Sequence, residues 1–195
     1  MADTQLIIVG GPNGSGKTTF AREYVARIGG NYICTDDIAV ELFPNDPVSV
    51  QAQMAAGKQF IHQVKKSVTE GESAVVESTL SGKTLARTVG EARNSAFEIS
   101  IVYLFLDSVE ICLERIEERI RKGGHSVPPD DVRRRYSRSL YNFWNLYRPL
   151  AHHWVLLYNS GSEPKDVAIG SADSHSIRDD ELFDKFQQLV RETKV

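Results

Sequence analysis

Gly11-Pro12-Asn13-Gly14-Ser15-Gly16-Lys17-Thr18 fits the pattern G-x-x-x-x-G-K-[ST] at every fixed position. Glycines in such a loop let backbone N–H groups converge on phosphate oxygens without Cβ interference. A helix starting at the end of the loop adds the partial positive charge of its N-terminus. Lys17 then reaches the β- and γ-phosphates, and the Thr18 hydroxyl is placed to serve Mg²⁺. The residues expected to hold ATP are therefore Gly11, Pro12, Asn13, Gly14, Ser15, Gly16, Lys17, Thr18 and Thr19, with ATP and Mg²⁺ as the cofactors. Ser81-Gly82-Lys83-Thr84 repeats only the end of the pattern, because Glu77 stands where the first glycine is required and would aim a carboxylate at the phosphates.

Two further groups of residues have types suited to phosphoryl transfer. Thr35-Asp36-Asp37 and Glu77-Ser78-Thr79 each follow a short apolar run. Asp36 is expected to accept or orient the proton of an attacking hydroxyl, with Asp37 as its rival and a helix N-cap over residues 37–43 as the competing reading. Glu77 and Thr79 are expected to hydrogen-bond the acceptor, against the reading of an ordinary strand-to-helix connection. The third group is cationic. Arg115, Arg119 and Lys122 recur at spacings of four and three on one helical face, with Arg121 nearby. Charge developing on phosphoryl oxygens needs cations at the moment of reaction, and a mobile arginine-bearing lid over about residues 115–135 would supply them while excluding water. The plain alternative is a solvated helix laced by the pairs Glu117–Arg121 and Glu118–Lys122. Arg133-Arg134-Arg135 forms a second basic cluster, divided between surface charge and ligand contact.

These residues need elements to hold them. Leu6–Val9, Tyr32–Cys34, Ala74–Val76, Ile99–Leu106 and Trp154–Tyr158 read as strands. Between and after them, helices are predicted over about 17–28, 48–70, 85–96, 108–122 (capped by Ser108), a stretch carrying Val132, Tyr136, Leu140, Phe143 and Tyr147, and 177–192. Strands alternating with helices predict an α/β fold: three α/β/α layers around a mostly parallel sheet of about five strands, with a small helical lid. Ligands in such folds gather at the carboxyl ends of the strands, which puts all three groups on one rim. Phe143, Trp144 and Tyr147 read as core packing and His152 and His153 as structural. His125 has no second ligand at metal spacing.

The 195 residues, 41% hydrophobic and 25% charged, fit one globular domain over 1–195 and exclude disordered and collagen-like classes. No apolar run approaches the ~18 residues of a membrane span, and no secretory leader is legible. Two well-separated cysteines, Cys34 and Cys112, fit a cytoplasmic setting. A net charge of −3 counts against nucleic acid as a partner.

The order of these motifs resembles the small zeta-toxin-like kinases. The resemblance runs from Gly10–Phe20 through Thr35–Ala39, Glu77–Gly82, Gly123–Pro128, Arg133–Tyr136 and Asn142-Phe143 to Tyr158–Gly161, about residues 5–161. It implies a phosphate-loop kinase fold that transfers the γ-phosphate of ATP to a sugar hydroxyl of UDP-N-acetylglucosamine. Asp36 matches the family's catalytic base, and Glu77 and Thr79 match its sugar-nucleotide contacts. Arg119 matches one of two phosphate-steadying arginines, and the second falls among Arg121, Arg133 and Arg134; Arg134 is taken as a substrate contact. A small helical antitoxin protein is the partner the resemblance implies. The chain lacks the extra helices of the longer zeta toxins, so kinase chemistry carries over more safely than the acceptor. A polynucleotide 5′-kinase and a nucleotide-gated binding protein are the alternatives.

Overall fold

The computed structural model describes residues 4–124 and 126–193. Five parallel strands, β1 (Gln5–Gly10), β2 (Asn31–Cys34), β3 (Ala74–Ser78), β4 (Glu98–Phe105) and β5 (His153–Tyr158), stand in the order β2-β3-β1-β4-β5. The sheet then continues through two antiparallel strands, β6 (Lys165–Gly170) and β7 (His175–Ile177). The expected five-stranded parallel core is present, but among the described residues the sheet has seven strands. The added pair gives little sequence signal: only Val167 and Ala168 of β6 are buried, and β7 is exposed throughout. Short, polar edge strands are how sheets avoid pairing with other chains.

Side chains alternate across each strand and so split the core in two. Ile7 and Val9 of β1 pack with Val75, Leu104 and Leu157 beneath Ala21, Phe20 and Tyr24 of α1 (Lys17–Ile28). Leu6 and Ile8 face the opposite way, into the larger core. That core is completed by α2 (Thr35–Leu42), α3 (Val50–Glu70), α4 (Thr84–Asn94), α5 (Val109–Arg121), α6 (Pro129–Asn142) and α7 (Asp180–Glu192). Ser108 caps α5 by accepting from Ile111 N–H, as its sequence position predicts. The last helix starts three residues later than the apolar pattern predicts. Ile177 belongs to β7, and Asp179 caps α7 by accepting from Leu182 N–H. After α6 the chain widens into a π-helical turn, Phe143–Tyr147, followed by a 3₁₀ turn, Arg148–Leu150. Phe143 and Tyr147 are fully buried, which bears out their reading as core. His152 and His153 are also structural: Nδ1 of His152 accepts from Ile99 N–H, and His153 pairs with Glu98.

Candidate active site

The six residues between β1 and α1 turn the chain at the carboxyl rim, and two of them tolerate no side chain. Gly11 sits at φ 147°, and a Cβ there would lie 2.3 Å from the Leu104 carbonyl oxygen. Gly16 sits at φ 90°, with the amide nitrogen of Asn159 2.6 Å from where its Cβ would be. Side chains hold the loop's carbonyls: Lys17 Nζ donates to Pro12 O (2.8 Å), Arg115 Nη1 to Gly14 O (3.3 Å) and Asn159 Nδ2 to Ser15 O (2.8 Å). Arg115 also reaches Gly161 O at 3.4 Å, so α5 and the segment after β5 grip the loop together. Lys17 is buried, and burial lowers its pKa, while the nearby Glu77 and Asp36 carboxylates pull the other way. The buried hydroxyl of Ser15 and side-chain oxygen of Asn13 have no hydrogen-bond partner among the described residues.

A cleft of about 410 Å³ opens above this loop. Its walls bring together Lys17, Thr18, Asp36, Glu77, Thr79, Arg115, Arg119 and Arg135. A second cleft of about 340 Å³ adjoins it and shares Asn13, Asp36, Gln53, Arg119 and Arg135. Its outer part is lined by Pro47, Val48, Met54 and Val127 on apolar walls and by Asp131 and Arg134.

The structure separates Asp36 from its rival. Helix α2 begins at Thr35 with Cys34 at the N-cap position, so Asp36 is a first-turn residue and not the cap of a helix over 37–43. It lines both clefts. Asp37 turns away to an exposed ion pair with Arg22 at 2.9 Å. Strand β3 runs two residues past Val76, so Glu77 lies within the ladder, paired with Val9 and Cys34, rather than in a connection. Its buried carboxylate accepts from Thr18 Oγ1 at 2.9 Å and from the Tyr32 hydroxyl at 2.5 Å. Glu77 is thereby tied to the phosphate loop's threonine, a relation that spacing alone does not reveal.

The basic residues divide three ways. Arg115 and Arg119 line the phosphate cleft, whereas Lys122 pairs in solvent with Glu118 at 2.7 Å. Arg133 turns to Glu110, Arg134 lines the second cleft and pairs with Asp131, and Arg135 enters the phosphate cleft. Arg135 stands in the sequence only as one member of a basic cluster divided between surface charge and ligand contact, and the structure places it on the cleft wall. The signal was there, because it lies three residues after buried Val132 and four before buried Ser139, on the inward face of α6. Gln53 and Tyr32 carried no comparable signal, and Asn159 stood out only within the Tyr158–Gly161 end of the family resemblance. His125, at the break between α5 and α6, lies outside the described residues.

Residues 6–142 match the family model described as an AAA domain, and the chain belongs to that family. An uncharacterized protein of Haemophilus influenzae is 33% identical over 129 residues, covering 65% of this chain and 88% of the relative. The fold is similar to the AvrRxo1-ORF1:-ORF2 structure with ATP (TM-score 0.73, 16% identity, 94% of this chain), although this chain spans only 63% of that one. It is also similar to the PezAT chromosomal toxin–antitoxin system of Streptococcus pneumoniae (TM-score 0.60, 18% identity, 99% and 88% covered). A gluconokinase from Sinorhizobium meliloti gives a TM-score of 0.52 at 14% identity, with 98% and 89% covered. The fold is thus the α/β phosphate-loop kinase fold with a mostly parallel sheet. No described helix is long and apolar enough to cross a membrane.

Proposed function

We propose, with that family membership as the premise, that the protein is an ATP-dependent kinase. It would transfer the γ-phosphate to a hydroxyl of a small molecule, with a sugar nucleotide such as UDP-N-acetylglucosamine as the first acceptor to try. One observation carries this reading: Asp36 stands where the phosphate cleft and the second cleft meet. A nucleotide-gated switch has no need of a carboxylate facing a second chamber. A kinase needs one, because the acceptor's oxygen must meet the terminal phosphorus there.

In this reading the phosphate loop and Lys17 hold the triphosphate, and Arg119 and Arg135 oppose the charge that grows on the transferring group. The acceptor hydroxyl gives its proton to the Asp36 carboxylate as its oxygen bonds to the γ-phosphorus. The bond from that phosphorus to the bridging oxygen breaks, and ADP leaves with the electron pair. Thr79 orients the hydroxyl, Arg134 meets the body of the acceptor, and the segment over about 115–135 serves as the lid.

The residues at Thr18 fit Mg²⁺. Its hydroxyl and the Glu77 carboxylate are hard oxygen donors within 2.9 Å of each other, with Asp36 on the same cleft wall. Mg²⁺ is commonly held by one or two carboxylates, phosphate oxygens and water. Bound with the nucleotide, the ion supplies neutralisation of charge on the β- and γ-oxygens. A small helical antitoxin-like protein belongs to the same reading as a partner, to be sought by co-purification.

The test is mass spectrometry of ATP incubated with UDP-sugars, free sugars, nucleosides and a 5′-hydroxyl oligonucleotide, wild type beside Asp36→Asn. Phosphate should appear on a small alcohol, and the substitution should slow transfer about 10²–10⁴-fold while ATP still binds. Phosphate on the oligonucleotide alone, or ATP hydrolysis with no acceptor modified, would replace this reading with one of its alternatives.

A further inference from the structure

The turn carrying Thr79 is built under strain. Leu80 has φ 55°, a left-handed conformation that non-glycine residues enter only at an energetic cost. Such a conformation persists only where its surroundings over-determine it. Three contacts do so here. The fully buried Leu80 side chain presses on Gly10, at the root of the phosphate loop. The Leu80 carbonyl accepts from Asn142 Nδ2 at 2.8 Å, and the Gly82 carbonyl accepts from the Tyr147 hydroxyl at 2.6 Å. Asn142 and Tyr147 are themselves almost wholly buried.

These two donors lie five residues apart, on a helix that runs on from α6. In an α-helix five residues turn the chain through about 500°, so such side chains point about 140° apart and cannot serve one short loop. The chain instead widens over Phe143–Tyr147, where Arg148 N–H bonds to the carbonyl of Phe143, five residues back. A turn closed from i to i+5 brings residues of that spacing toward one side, and single π-turns inside helices occur frequently at functional sites. The widened turn therefore has a geometric result: both donors reach the same loop, on either side of Ser81.

We infer that Asn142 and Tyr147 are positioning residues for the acceptor side of the reaction. The π-turn clamps the loop of residues 79–82 and so fixes Thr79 in the cleft that also holds Asp36. The inference rests on the kinase reading given above. It extends that reading along α6, because the helix whose far end clamps the Thr79 loop carries Arg135 into the phosphate cleft and Arg134 into the second cleft. Buried polar groups that merely satisfy one another would stabilise the fold without favouring one substrate. A clamp on the acceptor loop has a narrower effect, since misplacing a reacting group by about 1 Å costs up to ~10² in rate.

The experiment uses the full chain with Tyr147→Phe, which removes only the hydroxyl, Asn142→Leu, which removes the donor at similar volume, and Asn142→Gln, which restores a donor on a longer arm. Steady-state kinetics vary ATP and acceptor separately, and hydrogen exchange is followed at residues 79–82 and 11–16. Tyr147→Phe and Asn142→Leu should each lower kcat/KM for the acceptor about tenfold, with KM for ATP changed less than about twofold, and Asn142→Gln should recover part of the loss. Exchange should quicken at 79–82 and stay unchanged at 11–16. A comparable rise in KM for ATP, no loss in kcat/KM for the acceptor, or unchanged exchange at 79–82 would each overturn the inference. If the wild type phosphorylates no alcohol, the kinase reading fails, and the exchange experiment still decides independently whether the clamp exists.

Discussion

Replacing Gly10 by alanine would place a methyl carbon 2.5 Å from Leu80 Cδ1, 3.0 Å from Leu80 Cγ and 3.1 Å from Tyr103 Cδ2. None of these neighbours can yield cheaply. Leu80 is fully buried and already at φ 55°, and Tyr103 is stacked on Phe143 at 4.1 Å with its hydroxyl 2.8 Å from Ser139 Oγ. Overpacking at such a site costs about 1–3 kcal/mol. Leu80→Ala alone leaves a cavity and costs about 2–5 kcal/mol. Made together, the two changes partly cancel, because the new methyl at position 10 enters the space that Leu80 vacates. The double variant should therefore be more stable than the sum of the singles by about 1–3 kcal/mol, a coupling well above the ~0.5 kcal/mol scatter of independent sites. Urea unfolding of the wild type, both singles and the double measures it. Additivity would refute the contact between the turn carrying Thr79 and the root of the phosphate loop, and with it the idea that the two sides of the cleft are built against each other.

Two further outcomes follow from the same geometry. Asn159→Ala strips the donor from the Ser15 carbonyl in a loop whose Ser15 is fully buried, so the variant should lose about 1–3 kcal/mol of stability and bind ATP about tenfold more weakly. Calorimetric titration with ATP checks this, and unchanged affinity would remove Asn159 from the site. Asp107 offers a pH test: burial alone would raise its carboxyl, but the ion pair with Lys185 (2.7 Å) and a hydrogen bond from the Tyr158 hydroxyl (2.6 Å) outweigh that and hold it below the ordinary range. The resulting stabilisation is complete above the unfolded value of about 3.9 and is lost as pH falls through the folded one. Lys185→Met should therefore be less stable than wild type at pH 7, by no more than about 1 kcal/mol because Lys185 is half exposed, and urea midpoints should converge as pH drops from about 4 to 2. A gap that persists at pH 2 would contradict this.

The phosphate loop could be read at once because its chemistry lies in eight consecutive residues and depends on backbone, glycine freedom and one lysine. Alternating apolar runs and helical patterns were likewise enough to give β1 to β5 and the helices between them apart from α2, since burial on both faces leaves a clear pattern in each run. Asp36 and Glu77 could be nominated because residues leaving parallel strands share a rim. What could not be read was direction. Asp36 and Asp37 are adjacent, equally acidic and both in the first turn of α2; only the packing of that turn sends one into the clefts and the other to Arg22. Arg115, Arg119, Arg133, Arg134 and Arg135 are equally indistinct by type, and they separate only when the rotation of α5 and α6 against the sheet is fixed. The strained turn at Leu80 and the widened turn at Asn142–Tyr147 are separated by 62 and 65 residues at their two hydrogen bonds, so no local pattern announces either. Sequence by itself determined which chemistry the chain could hold and on which edge of a sheet. Tertiary structure decided which side chains meet there, because direction in space depends on helix rotation and long-range contact rather than on residue type.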